Sequence, residues 1–268
     1  MHDDEIETRS LDQVTAHEAR ETVTDGRRQY KNPPIREALC EIHFVGGAEW
    51  DFFTPTRLYE ALRSDYPAEP RQRMQAGVQL QANEAQQGLT LQTGGPLVHL
   101  LSEDETRQLT AGSSLLVVHT LAPYEGWERF QERIATAVDR YTAITQADAV
   151  ERIGVRYINQ INIPRPSVRL EEYFTAPPRL PDDLAVSLRG FFARIEAQYD
   201  DGLAKLIQTI ASVEAEMPSF ILDLDVVAEF SEPLNGEEVM PMIDELRRRE
   251  RIAFEQAITE LAREQFDA

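Results

Sequence analysis

Asp223 and Asp225 stand two residues apart in the alternating apolar segment 220–226. On a strand this spacing sends both carboxylates out of one face, about 7 Å apart at Cα, which suits a single divalent cation. No nearby histidine or glutamate completes a recognised metal motif, so the competing reading is an acidic pair satisfied by arginine or solvent. Two more pairs share one spacing: Glu37 with Glu41, and Arg152 with Arg156. Each spans four residues of a predicted strand, about 13 Å, and so lies on one face. If those two strands lie side by side, acids and arginines meet as two cross-strand ion pairs, and the guanidinium fork favours bidentate contact. The alternative is a polar pocket in which the arginines receive an anionic ligand.

Other candidate chemistry is sparser. His43, His99 and His119 fall in predicted strands without the helical i, i+4 spacing of a metal-binding pair, and read as core or surface histidines. Cys40 is the only cysteine, which rules out an internal disulfide and a cysteine-rich zinc site; alternating with apolar neighbours, it reads as a small buried hydrophobe. Gly94-Gly95-Pro96 lacks the following lysine, serine and helix of a phosphate loop, and no Gly-x-Ser-x-Gly elbow occurs. No catalytic residue and no cofactor is assigned. The run Arg247-Arg248-Arg249-Glu250-Arg251 has Asp244, Glu245 and Glu255 four residues from Arg248, Arg249 and Arg251, the spacing of salt bridges on a solvated helix face; a docking patch for an acidic partner is the second reading.

The elements that must hold these residues follow from periodicity. Asn32-Pro33-Pro34 forces extended backbone, and the next residues alternate, with Ala38, Cys40, Ile42 and Phe44 on one face and Glu37, Leu39, Glu41 and His43 on the other. Gly46-Gly47 ends this strand, and Thr54-Pro55 predicts a helix start with Thr54 as N-cap and Leu58, Tyr59 and Leu62 inward. Short strands near 72–81, 88–92, 97–102, 106–110 and 114–121 read as an antiparallel meander. A helical period over 125–146 carries Trp127, Phe130, Ile134, Val138, Tyr141 and Ile144. Residues 151–163 give the longest strand signal, followed by strands at 191–199 and 220–226 around an Asp201-Gly202 hairpin turn. Residues 203–215 are ambiguous between helix and strand, and the hairpin favours strand. A final helix is predicted over 237–266.

These elements predict an α+β fold of two similar halves, an antiparallel sheet with amphipathic helices on one face. The halves are 30–146 and 151–268, in one compact unit behind an acidic tail, 1–29, that has no apolar period. The two halves run in one order: long strand, short helical segment, meander, terminal helix. Their strand starts, Glu37 and Glu151, and their helix starts, Glu125 and Glu237, are offset by nearly the same length of chain.

Charge and composition exclude some functions. The chain of 268 residues carries 47 acidic against 27 basic side chains, a net charge of −20, so its field repels nucleic acid and anionic membranes. Lys31 and Lys205 are the only lysines, an arginine bias that fits a GC-rich genome better than adaptation to a salty cytoplasm, and neither is a function. No stretch approaches the roughly 18 apolar residues of a membrane span, and the acidic start is unlike a secretory signal, so a cytoplasmic address is expected.

The run Tyr30-Lys31-Asn32-Pro33-Pro34-Ile35-Arg36-Glu37-Ala38-Leu39-Cys40-Glu41-Ile42-His43-Phe44 resembles the opening of a sporadically distributed family of uncharacterised prokaryotic proteins of similar size. Arg152-Ile153-Gly154-Val155-Arg156-Tyr157-Ile158-Asn159-Gln160-Ile161 is similar to that family's second signature. Leu222-Asp223-Leu224-Asp225, with the later Phe254-Glu255 and Ile258-Thr259, resembles its third. The resemblance implies a one-unit, duplicated α+β protein and brings no activity and no catalytic residues. The expected function is a binding or adaptor role, within a mobile defence or toxin-neutralising module. The alternative is a metal-dependent enzyme acting on a phosphorylated or nucleotide substrate through Asp223 and Asp225 with Arg152 or Arg156.

The expected partner is another protein or a second copy, met through the C-terminal helix. A 30-residue helix is about 45 Å long and outruns an average strand, so its end should overhang the sheet. Phe254 and Ile258 are then placed in the contact. The competing reading folds residues 30–36 back over that patch within one chain.

Overall fold

The computed structural model describes residues 28–45, 50–83, 86–181 and 189–267, with side chains described outside 72–95. The expected tail, apart from its last two residues, and Gly46-Gly47 lie outside the described residues.

Among the described residues, nine strands form one antiparallel sheet. In chain order the elements are β1 (Ile35–Phe44), α1 (Thr54–Leu62), β2 (Arg71–Asn83), β3 (Gln86–Leu101), β4 (Arg107–Ala111), β5 (Leu115–Leu121), α2 (Trp127–Thr145), β6 (Val150–Asn162), a 3-10 turn (Leu170–Glu172), β7 (Phe192–Gln198), β8 (Lys205–Val213), β9 (Ser219–Leu234), α3 (Gly236–Ala257) and α4 (Glu260–Asp267). Across the sheet they run β2-β3-β4-β5-β1-β6-β9-β8-β7. β1 and β6 therefore sit in the middle, paired antiparallel with Leu39 opposite Arg156, Glu41 opposite Gly154 and His43 opposite Arg152.

Alternation explains why one face is covered. Ala38, Cys40, Ile42 and Phe44 of β1 and Ile153, Val155, Tyr157 and Ile161 of β6 are buried. α2 adds Phe130, Ile134 and Tyr141 to the same core, and α3 adds Val239, Ile243 and Leu246. At roughly 25 cal/mol per Å² of apolar surface removed from water, these stripes are what hold the helices on the sheet. α2 ends where Gln146 adopts the left-handed conformation (φ 58°), its N–H donating to Thr142 O at 2.8 Å. α3 begins at a capping box of Asn235 and Glu238, which satisfies two otherwise orphaned N–H groups.

Four elements depart from their sequence expectation. Thr54 is the first helical residue rather than the cap; Asp51 Oδ1 accepts from the N–H groups of Phe53 and Thr54 at 2.9 and 2.7 Å. The strands expected at 88–92 and 97–102 are one, β3, because the ladder with β2 continues across a register shift that skips Gly94 and Gly95, between the pairs Met74–Pro96 and Ala76–Thr93. In the second half the expected short helical segment is a single 3-10 turn. The C-terminal helix is broken: Ile258 is extended (φ −113°, ψ 153°) and bridges Phe174. Residues 172–175 occupy the gap, Thr175 N–H donating to Ala257 O and Thr259 N–H to Tyr173 O, both at 3.0 Å.

The path of the chain within each half is alike in one respect. β1 lies beside β5, the last strand of the first meander, and β6 lies beside β9, the last strand of the second. Among the described residues the meanders differ in length, four strands against three.

Candidate functional site: a charged belt on the uncovered sheet face

The face of β1, β6 and β9 that the helices leave open carries Glu37, Glu41, His43, Arg152, Arg156, Asp223 and Asp225, all partly exposed. Six of these are the acids and arginines singled out by spacing alone, and the antiparallel register gathers them on three adjacent strands. Their contacts are mostly diagonal, between residues i and j ± 2, where long side chains reach.

One of the two expected acid–arginine pairs forms, Arg152 with Glu41. Glu41 also accepts from His43 Nε2 at 2.7 Å, and the two contacts, the histidine first, pull its carboxyl down to about 2. The other expected pair is diverted. Glu37 lies opposite Ile158 and accepts instead from His119 Nδ1 at 2.8 Å, which lowers its pKa. Arg156 turns to Asp223, its Nε and Nη2 donating to the two carboxylate oxygens at 2.8 and 2.6 Å. The fork-to-carboxylate match outcompetes a glutamate on the opposite flank.

Asp225 is directly across from Arg156 in the ladder, yet the guanidinium is committed to Asp223. Burial pushes the Asp225 carboxyl up to about 6, with Arg156 and Arg152 acting against the shift. Beside it Gly154 leaves a gap in the belt: a Cβ there would stand 3.5 Å from Asp225 Oδ1 and 3.7 Å from Val227. As for a cation, both oxygens of Asp223 already accept from Arg156. Among the described residues no group of three or more histidine, cysteine, aspartate or glutamate side chains is placed to hold a metal.

The remaining candidates are dispersed. His99 Nδ1 meets Thr110 Oγ1 at 2.9 Å, and Cys40 is fully buried, its thiol pushed up by that burial. Phe254 and Ile258, expected to contact a partner, are only 6% and 1% exposed. The chain covers them itself: Tyr30 packs edge-on against Phe254 and Phe266 with ring centroids 6.2 and 5.5 Å apart, and its hydroxyl donates to Glu255 at 2.8 Å. The helix break removes the overhang on which the expected contact rested.

A buried polar cluster beneath β6 escapes sequence reasoning. The Arg247–Arg251 run is no uniform solvated face: Glu245 accepts from Arg248 and Arg249 at 2.8 and 2.7 Å, but Arg247 and Glu250 pair inside the protein. The Arg247 guanidinium lies 4.0 Å above the Tyr157 ring, and the hydroxyls of Tyr157 and Tyr124 are 2.8 Å apart. Burial pushes the Glu250 carboxyl up, against the pull of Arg247. The cavity beside this pair holds about 20 Å³, the room of one water molecule. A wider, open groove of about 390 Å³ lies at the ends of β1 and β6, lined by Asn32, Arg36, Gln160, Asn162 and Gln265 among others. The only advance signal for the buried pair was the i, i+3 spacing of Arg247 and Glu250, which surface helices share.

Comparison with protein-family models and with curated proteins finds no match to this chain. No described helix is long and apolar enough to cross a membrane.

Proposed function

We propose that this protein is a cytoplasmic binding or adaptor protein that docks another protein on the uncovered face of its sheet, within a mobile defence or toxin-neutralising module. One observation carries the reading: the open face presents acids and arginines already paired with one another, Arg156 with Asp223 and Arg152 with Glu41. A face whose charges are mutually neutralised suits an extended partner that matches alternating signs, and it offers no concentrated field for a small anion. The module rests on the family resemblance alone. That resemblance also suggests two copies of one motif, supported by the like placement of β1 beside β5 and β6 beside β9.

The test is affinity capture from the native host with its flanking genes intact, comparing wild type with Arg156→Gln. A partner retained by the wild type and lost by a folded variant is the expected result. Recovery of the same partner with both would remove the open face as the docking surface.

Asp225 favours a second reading, the metal-dependent enzyme acting on a phosphorylated or nucleotide substrate. A carboxyl with a pKa of about 6 beside two arginines is placed for proton transfer near neutral pH. This reading requires a divalent cation to displace Arg156 from Asp223.

A further inference from the structure

We infer that the free edge of β7 pairs with the same edge of a second copy, joining two sheets across a two-fold axis at Ile195. Among the described residues β7 is the last strand of the sheet, with Phe192 and Ile195 72% and 56% exposed. An exposed edge carrying apolar side chains is a template for strand addition.

The backbone determines which residues offer that edge. Tyr199 N–H donates to Ala204 O, and Ser212 N–H donates to Phe191 O, so the odd-numbered residues of β7 turn their peptide groups toward β8. In a strand the direction alternates, which leaves the N–H and C=O groups of Phe192, Arg194, Glu196 and Gln198 pointing outward. An antiparallel pairing centred on Ile195 sets Arg194 opposite Glu196 of the second copy and Phe192 opposite its Gln198. Both members of each pair then face the edge, as hydrogen-bonded pairs require.

The side chains fit the same register. The strand reads Phe-Ala-Arg-Ile-Glu-Ala-Gln, so alanines flank the axis symmetrically and a basic residue mirrors an acidic one. In the free chain Arg194 Nη2 bonds its own Glu196 at 2.7 Å. Across the axis each finds the opposite charge twice, once from each strand, and Ile195 meets its own copy. Self-complementarity about a two-fold axis is what an isologous contact demands, and it points to a second copy rather than to an unrelated strand. Charges on an edge otherwise serve to block pairing; here they specify it.

The experiment is analytical ultracentrifugation over a range of concentrations. The wild type should reach a mass twice the 30.5 kDa of the chain. Arg194→Glu alone and Glu196→Arg alone oppose like charges at both crossings and should weaken association by about tenfold or more. An equimolar mixture of these two variants restores opposite charges and should associate again, as should the double exchange Arg194→Glu/Glu196→Arg. Glu196→Pro removes an outward N–H that no described strand uses, so it should abolish the dimer with an unchanged circular dichroism spectrum. A wild type that stays monomeric throughout, single variants that dimerise like the wild type, or a mixture that fails to associate would each overturn the inference.

Discussion

At the scale of single residues, the fold opposes the charge of Asp225 on the open face. Its carboxyl ordinarily titrates at 3.8 and is raised to about 6 by burial. The folded state therefore holds this proton more tightly than the unfolded chain, and stability falls as pH rises from about 4 through 6. Asp225→Asn should stabilise the protein by about 3 kcal/mol at pH 7 and leave it unchanged below pH 4, as read from urea midpoints at the two pH values. Asp223 already has its partner, because Arg156 satisfies both of its oxygens. Mg²⁺, Mn²⁺ or EDTA should accordingly leave the melting temperature nearly unchanged, whereas a resident cation would stabilise the fold by mass action. An upward shift of several degrees with Mn²⁺ that vanishes in Asp223→Ala would favour the enzyme reading.

At the scale of elements, the α3–α4 break depends on two segments distant in sequence. Residues 172–175 supply the hydrogen bonds that replace helical ones at Ala257 and Thr259, and residues 28–35 cover the break from outside. Arg28 donates to Asp267 at 2.7 Å and Tyr30 caps Phe254 and Phe266. Tyr30→Ala removes an aromatic contact and a hydrogen bond together, and should cost about 2 kcal/mol in chemical denaturation. Its effect should be local: amides of α4 should exchange faster with solvent than those of α2, which Tyr30 does not touch. Uniform acceleration across both helices would show that the strap supports the whole fold rather than one end of it.

For the whole molecule, the β1–β6 pairing at the centre of the sheet is the decisive contact. One core cluster takes Phe44, Tyr141 and Leu116 from the first half and Val155, Val226 and Leu246 from the second, so this core is shared across the central pairing. Residues 1–146 and 147–268 expressed separately should be insoluble or unfolded, and co-expression should recover a complex with the circular dichroism spectrum of the intact chain. A first fragment that folds alone would mean that the central pairing joins two finished units. The sheet that results ends at β7 on one side and carries a broad charged face, and these are the places where this chain is proposed to meet other molecules.

Much of this architecture was legible in the residues themselves. The period-2 alternation of β1 and β6 and the helical stripe of α2 depend on local geometry and on the sign of each side chain's transfer free energy, so the sheet, the covered face and the sharing of a face by Glu37 with Glu41, Arg152 with Arg156 and Asp223 with Asp225 all followed from spacing. Partner choice did not. Whether Arg156 takes Glu37 or Asp223 depends on register and on the third strand, β9, which lies 67 residues away from it in sequence. The burial of Arg247 with Glu250 and of Phe254 beneath Tyr30 depends on which distant segment arrives to cover them. The break at Ile258 is likewise invisible in an unbroken helical pattern, because the hydrogen bonds that make it affordable come from residues 172–175. Local sequence determined the faces; long-range packing, through register and desolvation, decided what each face touches.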